Sequence, residues 1–294
     1  MKKNNLNFVF WGTPDVASET LEILKQNGYM PSLIITATDK PQGRKMLITP
    51  PPVKVWAIKN NIPYIQPEKL HQEFFNKLKP SCLEPNCLFL VVAYGKIIPE
   101  EILNIPKLGS INIHYSLLPK YRGASPVESA ILNGDTVTGV TIQKMIFKMD
   151  AGPILAEEKT NIFPDEKAGD LRKRLIKIGG EMIVKLLTPS ASGTSPHIGG
   201  GWVGVEQDEN ETTFCKKIKK EDGLVNLGAE LPNVLYNKFR AYSSWPRIFF
   251  FHNDKRIIIT DAVLENGEFI IKKVLPEGKK EIDYKDFNLR HGVD

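Results

Sequence analysis

Several familiar signatures are scarce or missing in this chain of 294 residues. It has three cysteines, Cys82, Cys87 and Cys215, which form neither an even disulfide framework nor a C-x-x-C pair of zinc-ligand spacing. A reducing compartment, the cytoplasm, is therefore expected, with structural thiols and no metal. No apolar run approaches the length of a membrane span, and the one in "MKKNNLNFVFWG" is also too short for a signal-peptide core, so it reads as a first strand. Nucleotide-cofactor fingerprints are missing as well. "GTPD" carries one glycine where G-x-G-x-x-G is needed, and there is no Walker loop, which argues against nicotinamide, flavin and ATP chemistry. No G-x-S-x-G turn exposes a serine nucleophile, although "HYSLLP" contains Ser116. Excess charge is modest: 39 Lys and Arg against 34 Asp and Glu give +5, compatible with an anionic partner without requiring one.

With 41% hydrophobic and 25% charged residues, the composition is that of an ordinary globular protein with room for one large domain or two smaller ones. Residues 6–11 form an apolar run, 16–24 have helical spacing before Gly28, and 32–36 are β-branched, the order and size of a βαβ unit. "CLFLVVAYG" at 87–95 is continuously apolar, as in a strand buried on both faces of a parallel sheet, and "GSINIHY" and "GVTIQKM" read as further strands. These elements predict an α/β fold with a doubly wound, mostly parallel sheet. A helix with a solvated face is predicted over 166–187. The Gly-, Ser- and Pro-rich "TPSASGTSPHIGGGWVG" follows, with the composition of a linker. Beyond it, short alternating runs separated by Asn-Asp and Asn-Gly turns predict a small β domain. The expected organisation is 1–187 as catalytic domain, 188–205 as linker and 206–294 as small C-terminal domain.

In "INIHYSLLPKYRG", Asn112 and His114 project to the same face if they end a strand, because side chains alternate with period two. Tyr115 then faces away. A strand end capped by a turn explains this pair equally well, and Asp150 in "MDAGPIL" has the context of a turn former. Together, however, an amide donor, an imidazole and a carboxylate beyond the carboxyl ends of sheet strands are what addition to a carbonyl requires: a donor for the oxyanion, a proton handler and an anion to orient it. With no protein nucleophile in view, direct transfer to a substrate that brings its own nucleophile is implied. The polar stretch at 36–57 combines Lys40, Arg44 and Lys45 with Gly43 and several prolines. It reads either as a mobile basic loop suited to a phosphate backbone or as plainly solvated. "RAYSSWP" at 240–246 reads as a domain-joining core segment, with stacking on a base as the alternative.

At this point a family becomes recognisable. "FVFWGTPDVAS", "DKPQGRK", "VVAYGKIIPEEIL", "GSINIHYSLLPKYRGASPVESAILNGD", "TGVTIQKM", "MDAGPIL", "KFRAYSSWP" and "PEGKKEIDYKDF" resemble, in order and spacing, the methionyl-tRNA formyltransferase family of the folate-dependent formyltransferase superfamily. The resemblance implies that Asn112, His114 and Asp150 are catalytic. It implies that 10-formyltetrahydrofolate binds near Val91, Val92, Ala93, Tyr94 and Gly95 and near Ser116, Leu117, Leu118 and Pro119, and that Arg44 lies in an acceptor-stem loop with Lys40 and Lys45. It further implies methionyl-initiator tRNA as partner, no membrane association, a monomer, and a partly open five-stranded oligonucleotide-binding barrel as second domain. The segment after Trp245-Pro246 is short for that barrel, as if strands were trimmed, and the linker lacks the family's basic character. Two other functions are compatible with parts of the pattern: the same chemistry on a small amine, such as a nucleotide sugar or glycinamide ribonucleotide, and a catalytically silent tRNA-binding protein.

Overall fold

The computed structural model describes residues 6–43, 45–78, 82, 84–188 and 203–291. The chain opens with β1 (Asn7–Gly12), buried from its second residue on. α1 (Asp15–Gln26) follows, with Asp15 in its first turn, where a carboxylate complements the helix dipole. Val16, Ala17, Thr20, Leu21 and Leu24 give α1 a buried stripe at three- and four-residue spacing. β2 (Leu33–Ile35) completes the expected βαβ unit, pairing parallel with β1.

Residues 36–57 differ from expectation. Instead of one long loop, β3 (Lys40–Gln42) and β4 (Leu47–Thr49) pair as an antiparallel hairpin turned by Gly43 at φ +70. α2 (Pro52–Lys59) then starts at the end of the proline run, where a missing N–H costs no helix hydrogen bond. The hairpin lies on the surface with Met46, Leu47 and Ile48 exposed, so it carries no in–out alternation by which its strands could be read. Arg44 lies outside the described residues.

The chain continues through β5 (Tyr64–Ile65), α3 (Gln72–Leu78), β6 (Cys87–Val92), α4 (Glu100–Leu103), β7 (Ser110–His114), β8 (Arg122–Gly123), α5 (Pro126–Leu132), β9 (Val137–Lys144), β10 (Ile154–Asn161) and α6 (Ala168–Leu187). Seven strands form one sheet in the order β10-β9-β7-β6-β1-β2-β5. β5, β2, β1, β6 and β7 run parallel, whereas β9 pairs antiparallel with β7. All six residues of β6 are buried, as its unbroken apolar run predicts. The chain winds outward from β1 to β5, then returns across β1 to β6, so the strand order reverses between β1 and β6. Ligands of open α/β sheets bind beyond the carboxyl ends of strands at such a reversal. There Thr13 after β1 donates from Oγ1 to the carbonyl of Tyr94 after β6 at 3.0 Å, joining the two turns.

Two compact units emerge, and neither is continuous in sequence. The first comprises Met1–Arg122, Gly139–Lys159 and Lys173–Thr213; the second comprises Gly123–Thr138, Thr160–Arg172 and Phe214–Asp294. The second contains β11 (Phe214–Cys215), α7 (Pro232–Ala241), β12 (Phe249–His252), β13 (Lys255–Glu265), β14 (Glu268–Pro276), β15 (Ile282–Asp283) and α8 (Tyr284–His291). β12 to β15 form a four-stranded antiparallel meander, one strand fewer than a five-stranded barrel. Its first two turns are Asn253-Asp254 and Asn266-Gly267, all four residues at positive φ, as two-residue hairpin turns require. Arg240, Ala241 and Tyr242 are buried, in line with a core role for that segment, while Trp245 is exposed. Most of the expected linker, 189–202, lies outside the described residues.

Candidate active site

The site belongs to the first unit. β7 places Asn112 and His114 on one face, and its register sets Asn112 beside Val91 of β6 on one side and Gln143 of β9 on the other. His114 lies opposite Thr141. Ile113 and Tyr115 project to the other face, where an added methyl on Gly179 of α6 would sit 3.0 and 3.5 Å from them. The alternation expected of this strand holds, and Tyr115 is outside the site.

His114 is 5% exposed. Its Nε2 lies 2.8 Å from the carbonyl oxygen of Tyr121, which accepts only, so Nε2 carries a proton and donates. Nδ1 is therefore the nitrogen that faces Asp150, with Oδ2 at 3.7 Å. That is an electrostatic approach rather than a hydrogen bond, and such contacts commonly tighten when substrate binds. The other carboxylate oxygen, Oδ1, accepts from Gln143 Nε2 at 2.9 Å. The Asn112 side chain is half-buried and makes no hydrogen bond among the described residues, leaving its N–H groups for a ligand oxygen.

Asp150 holds a left-handed backbone at φ +50, uncommon for a residue with a Cβ. Two residues on, a Cβ added to Gly152 would meet the Lys144 carbonyl oxygen at 1.7 Å, so only glycine allows the chain to pass so close to β9. Gln207 donates to the carbonyls of Asp150 and Gly152 at 2.9 and 2.7 Å, and its own oxygen accepts from Arg122 Nε and Nη2 at 3.0 and 2.7 Å. Arg122 is fully buried and also pairs with Glu209 at 3.0 Å. The Arg122 guanidinium, and after it the Lys148 ammonium at 2.9 Å, hold the Glu209 carboxyl down at about 2.

The residues expected near a folate are divided by burial. Val91, Val92, Tyr94, Ser116, Leu118 and Pro119 are buried, so a ligand would meet chiefly their backbone, while Ala93 and Gly95 are exposed and Leu117 is partly so. Ala93 and Gly95 both take positive φ, which turns the backbone sharply just past β6. The "SLLP" turn is tied to β9 by Thr141, whose Oγ1 donates to the Ser116 carbonyl at 2.7 Å and accepts from the Leu118 N–H at 3.1 Å. Burial with no compensating charge pushes the Tyr94 hydroxyl up to about 12, so it stays protonated. Before Asp150, Ile146, Phe147 and Met149 expose apolar surface of the kind a planar heteroaromatic ring covers. Lys40 and Lys45 are exposed on and beside the β3–β4 hairpin. Gln143, Arg122 and Gln207 were not among the residues the sequence singles out. Only Gln143 leaves a trace, as a long polar side chain within the strand-like run "GVTIQKM". Among the described residues no group of three or more His, Cys, Asp or Glu side chains is arranged to hold a metal ion.

Comparison with known proteins bears on this arrangement. Residues 4–187 match the family described as "Formyl transferase", and 217–271 match "Formyl transferase, C-terminal domain". A methionyl-tRNA formyltransferase of Thermotoga maritima is 38% identical over 269 residues, spanning 90% of this chain and 82% of that one. The Bacillus licheniformis protein of the same name is 36% identical over 305 residues, 95% and 93% of the two chains. Among solved structures, a methionyl-tRNA formyltransferase from Clostridium thermocellum superposes with a TM-score of 0.61 at 19% identity, covering 95% of this chain and 99% of that one. An N-formyltransferase from Helicobacter canadensis, in complex with folinic acid and dTDP-3-aminofucose, gives 0.64 at 19% identity over 89% and 88%. At such identities the structural likeness speaks to the fold alone.

Proposed function

Because the chain belongs to the formyl transferase family, we propose that it transfers a formyl group from 10-formyltetrahydrofolate to the α-amine of methionyl-initiator tRNA. The observation that carries this reading is the Asn112 amide, without a hydrogen-bond partner among the described residues, on the same strand face as His114, which in turn faces Asp150, in a chain whose relatives at 36–40% identity are methionyl-tRNA formyltransferases. An α-amine has a pKa of about 7.7 to 8.0, so near neutrality a useful fraction is already nucleophilic. It attacks the formyl carbon and generates a tetrahedral intermediate with a negatively charged oxygen. Asn112 donates to that oxygen. His114 acts through Nδ1, because Nε2–H is committed to Tyr121: Nδ1 takes the proton released by the attacking amine, and the Asp150 carboxylate faces the ring at that nitrogen. Collapse of the intermediate breaks the bond to tetrahydrofolate, whose departing nitrogen takes up the proton that His114 had accepted from the amine, so that His114 returns to its starting state.

The exposed backbone at Ala93 and Gly95, together with the "SLLP" turn, is assigned to the formyl donor, and Lys40, Arg44 and Lys45 to tRNA phosphates. The reaction is assigned to the cytoplasm, in keeping with three buried cysteines, none of them in a disulfide among the described residues. Incubation with the formyl donor, charged initiator tRNA and a competing nucleotide-sugar amine tests donor and acceptor together. Formyl-methionyl-tRNA is the expected product, and exclusive formylation of the small amine would overturn the acceptor. Asn112→Ala, His114→Ala and Asp150→Ala should each lower turnover by at least about 10² to 10³, the usual cost of losing one preorganised group, with the fold retained. Near-normal turnover by His114→Ala would remove the site assignment.

A further inference from the structure

We infer that Gln207, braced by Arg122, is a positioning residue that sets the backbone of Asp150 and thereby aims its carboxylate at His114. The inference rests on the catalytic roles proposed above for that pair. Asp150 needs such a brace because its left-handed backbone, φ +50, is unfavourable for a non-glycine residue and persists only where surrounding bonds over-determine it. Two of those bonds come from one side chain: the Gln207 amide bridges the carbonyls of Asp150 and Gly152 at 2.9 and 2.7 Å, spanning the turn. Gln143 holds the carboxylate of Asp150 but not its backbone.

The orientation of the bracing amide is itself fixed. Arg122 can only donate, and both of its bonds to Gln207 end on Oε1, which forces the NH₂ group toward the two carbonyls. Arg122 is fully buried, and its remaining face is closed by Glu209, which leaves the guanidinium one position to occupy. The same turn also sets the imidazole, because Tyr121, immediately before Arg122 and at φ +60, supplies the carbonyl that accepts from His114 Nε2. The turn at 121–122 therefore holds His114 by a backbone carbonyl and Asp150 by way of Gln207. Gln207 touches no reacting atom in this scheme.

The test uses the full-length enzyme with Gln207→Met and Gln207→Glu. Methionine fills similar volume without an amide. Glutamate still accepts from Arg122 but offers nothing to the two carbonyls. Both variants should lose about 10- to 100-fold in kcat, the scale of a misplacement of about 1 Å, with KM for donor and acceptor within about threefold of wild type. The nitrogen NMR resonances of the His114 ring should move toward those of Asp150→Asn. If Gln207→Glu keeps wild-type kcat and ring resonances, the contact to Arg122 alone matters and the inference fails. It also fails if kcat falls while the ring resonances stay in place. If Gln207→Met does not fold, Gln207→Glu decides alone. A wild-type enzyme that forms no formyl-methionyl-tRNA overturns the proposed function, whereas Gln207 variants with wild-type kcat beside an active wild type overturn only this inference.

Discussion

An amide, an imidazole and a carboxylate need different treatment from a fold, and each receives it. Among the described residues the Asn112 side chain is left without a hydrogen-bond partner, His114 has one nitrogen committed to Tyr121 and the other facing Asp150, and Asp150 has one oxygen satisfied by Gln143 and the other turned to the imidazole. Behind them Glu209 carries the clearest electrostatic signature, its carboxyl held at about 2 against an ordinary 4.5 first by Arg122 and then by Lys148. Because the folded-state value is depressed, the charge of Glu209 stabilises the native state above about 4.5, where the unfolded chain is also ionised. That contribution fades as pH falls toward about 2. Glu209→Gln should therefore melt below wild type near neutrality, and the gap in Tm should close as pH is lowered through this window. A gap independent of pH would mean that the ion pairs do not stabilise the fold. Asn112 and His114 were legible in sequence because alternation alone puts them on one face. Gln207 was not, since its contact with Asp150 spans 57 residues and depends on where the chain returns after β10.

At the level of elements, long buried segments announced themselves and short surface ones did not. β6 and α1 follow from an apolar run and a 3.6-residue period, whereas β3 and β4 have three residues each, β3 being largely polar and β4 pointing Leu47 and Ile48 at solvent. α2 was hidden by the proline run at its start, although Pro52 at the first helical position is a favourable place for it. Nothing in the composition of β9 reveals that it runs antiparallel to β7, yet that direction is what places Gln143 beside Asn112. Two glycines test how these elements are joined. In Gly152→Ala the new methyl meets the Lys144 carbonyl, and backbone against backbone has no flexible side chain to yield. A loss of about 1–3 kcal/mol in denaturant unfolding is expected, with lowered turnover because Asp150 moves. Gly169, in the first turn of α6, has nothing within 4 Å of the added atom. Gly169→Ala should leave turnover unchanged and stabilise by up to about 0.5–1 kcal/mol, the helix preference for alanine. Equal effects at the two positions would show that close approach at Gly152 does not shape the site.

For the whole molecule, a net charge of +5 is too small to describe how cations are distributed. The first unit exposes Lys40 and Lys45 at the hairpin, and the second exposes Lys216, Lys217, Lys219 and Lys220 just after β11 ends. If tRNA engages both sets, affinity should depend on salt in proportion to the phosphates each one neutralises, about 0.7 to 0.9 in the logarithmic slope per contact. Replacing Lys40, Arg44 and Lys45 with alanine should flatten that slope by up to about 2 to 3, and replacing the four lysines of the second unit by up to about 3 to 4. Because the two sets lie in different units, their effects on the slope should add in the combined variant. Single-turnover formylation at saturating tRNA should change little in either case, since neither set includes Asn112, His114 or Asp150. Titration of tRNA binding across a range of potassium chloride, for wild type and the three variants, separates the outcomes. A slope altered by the hairpin substitutions alone confines the phosphate contacts to the first unit. A slope altered by neither makes both sets ordinary solvated lysines, and recognition would then have to come from contacts that do not release counterions.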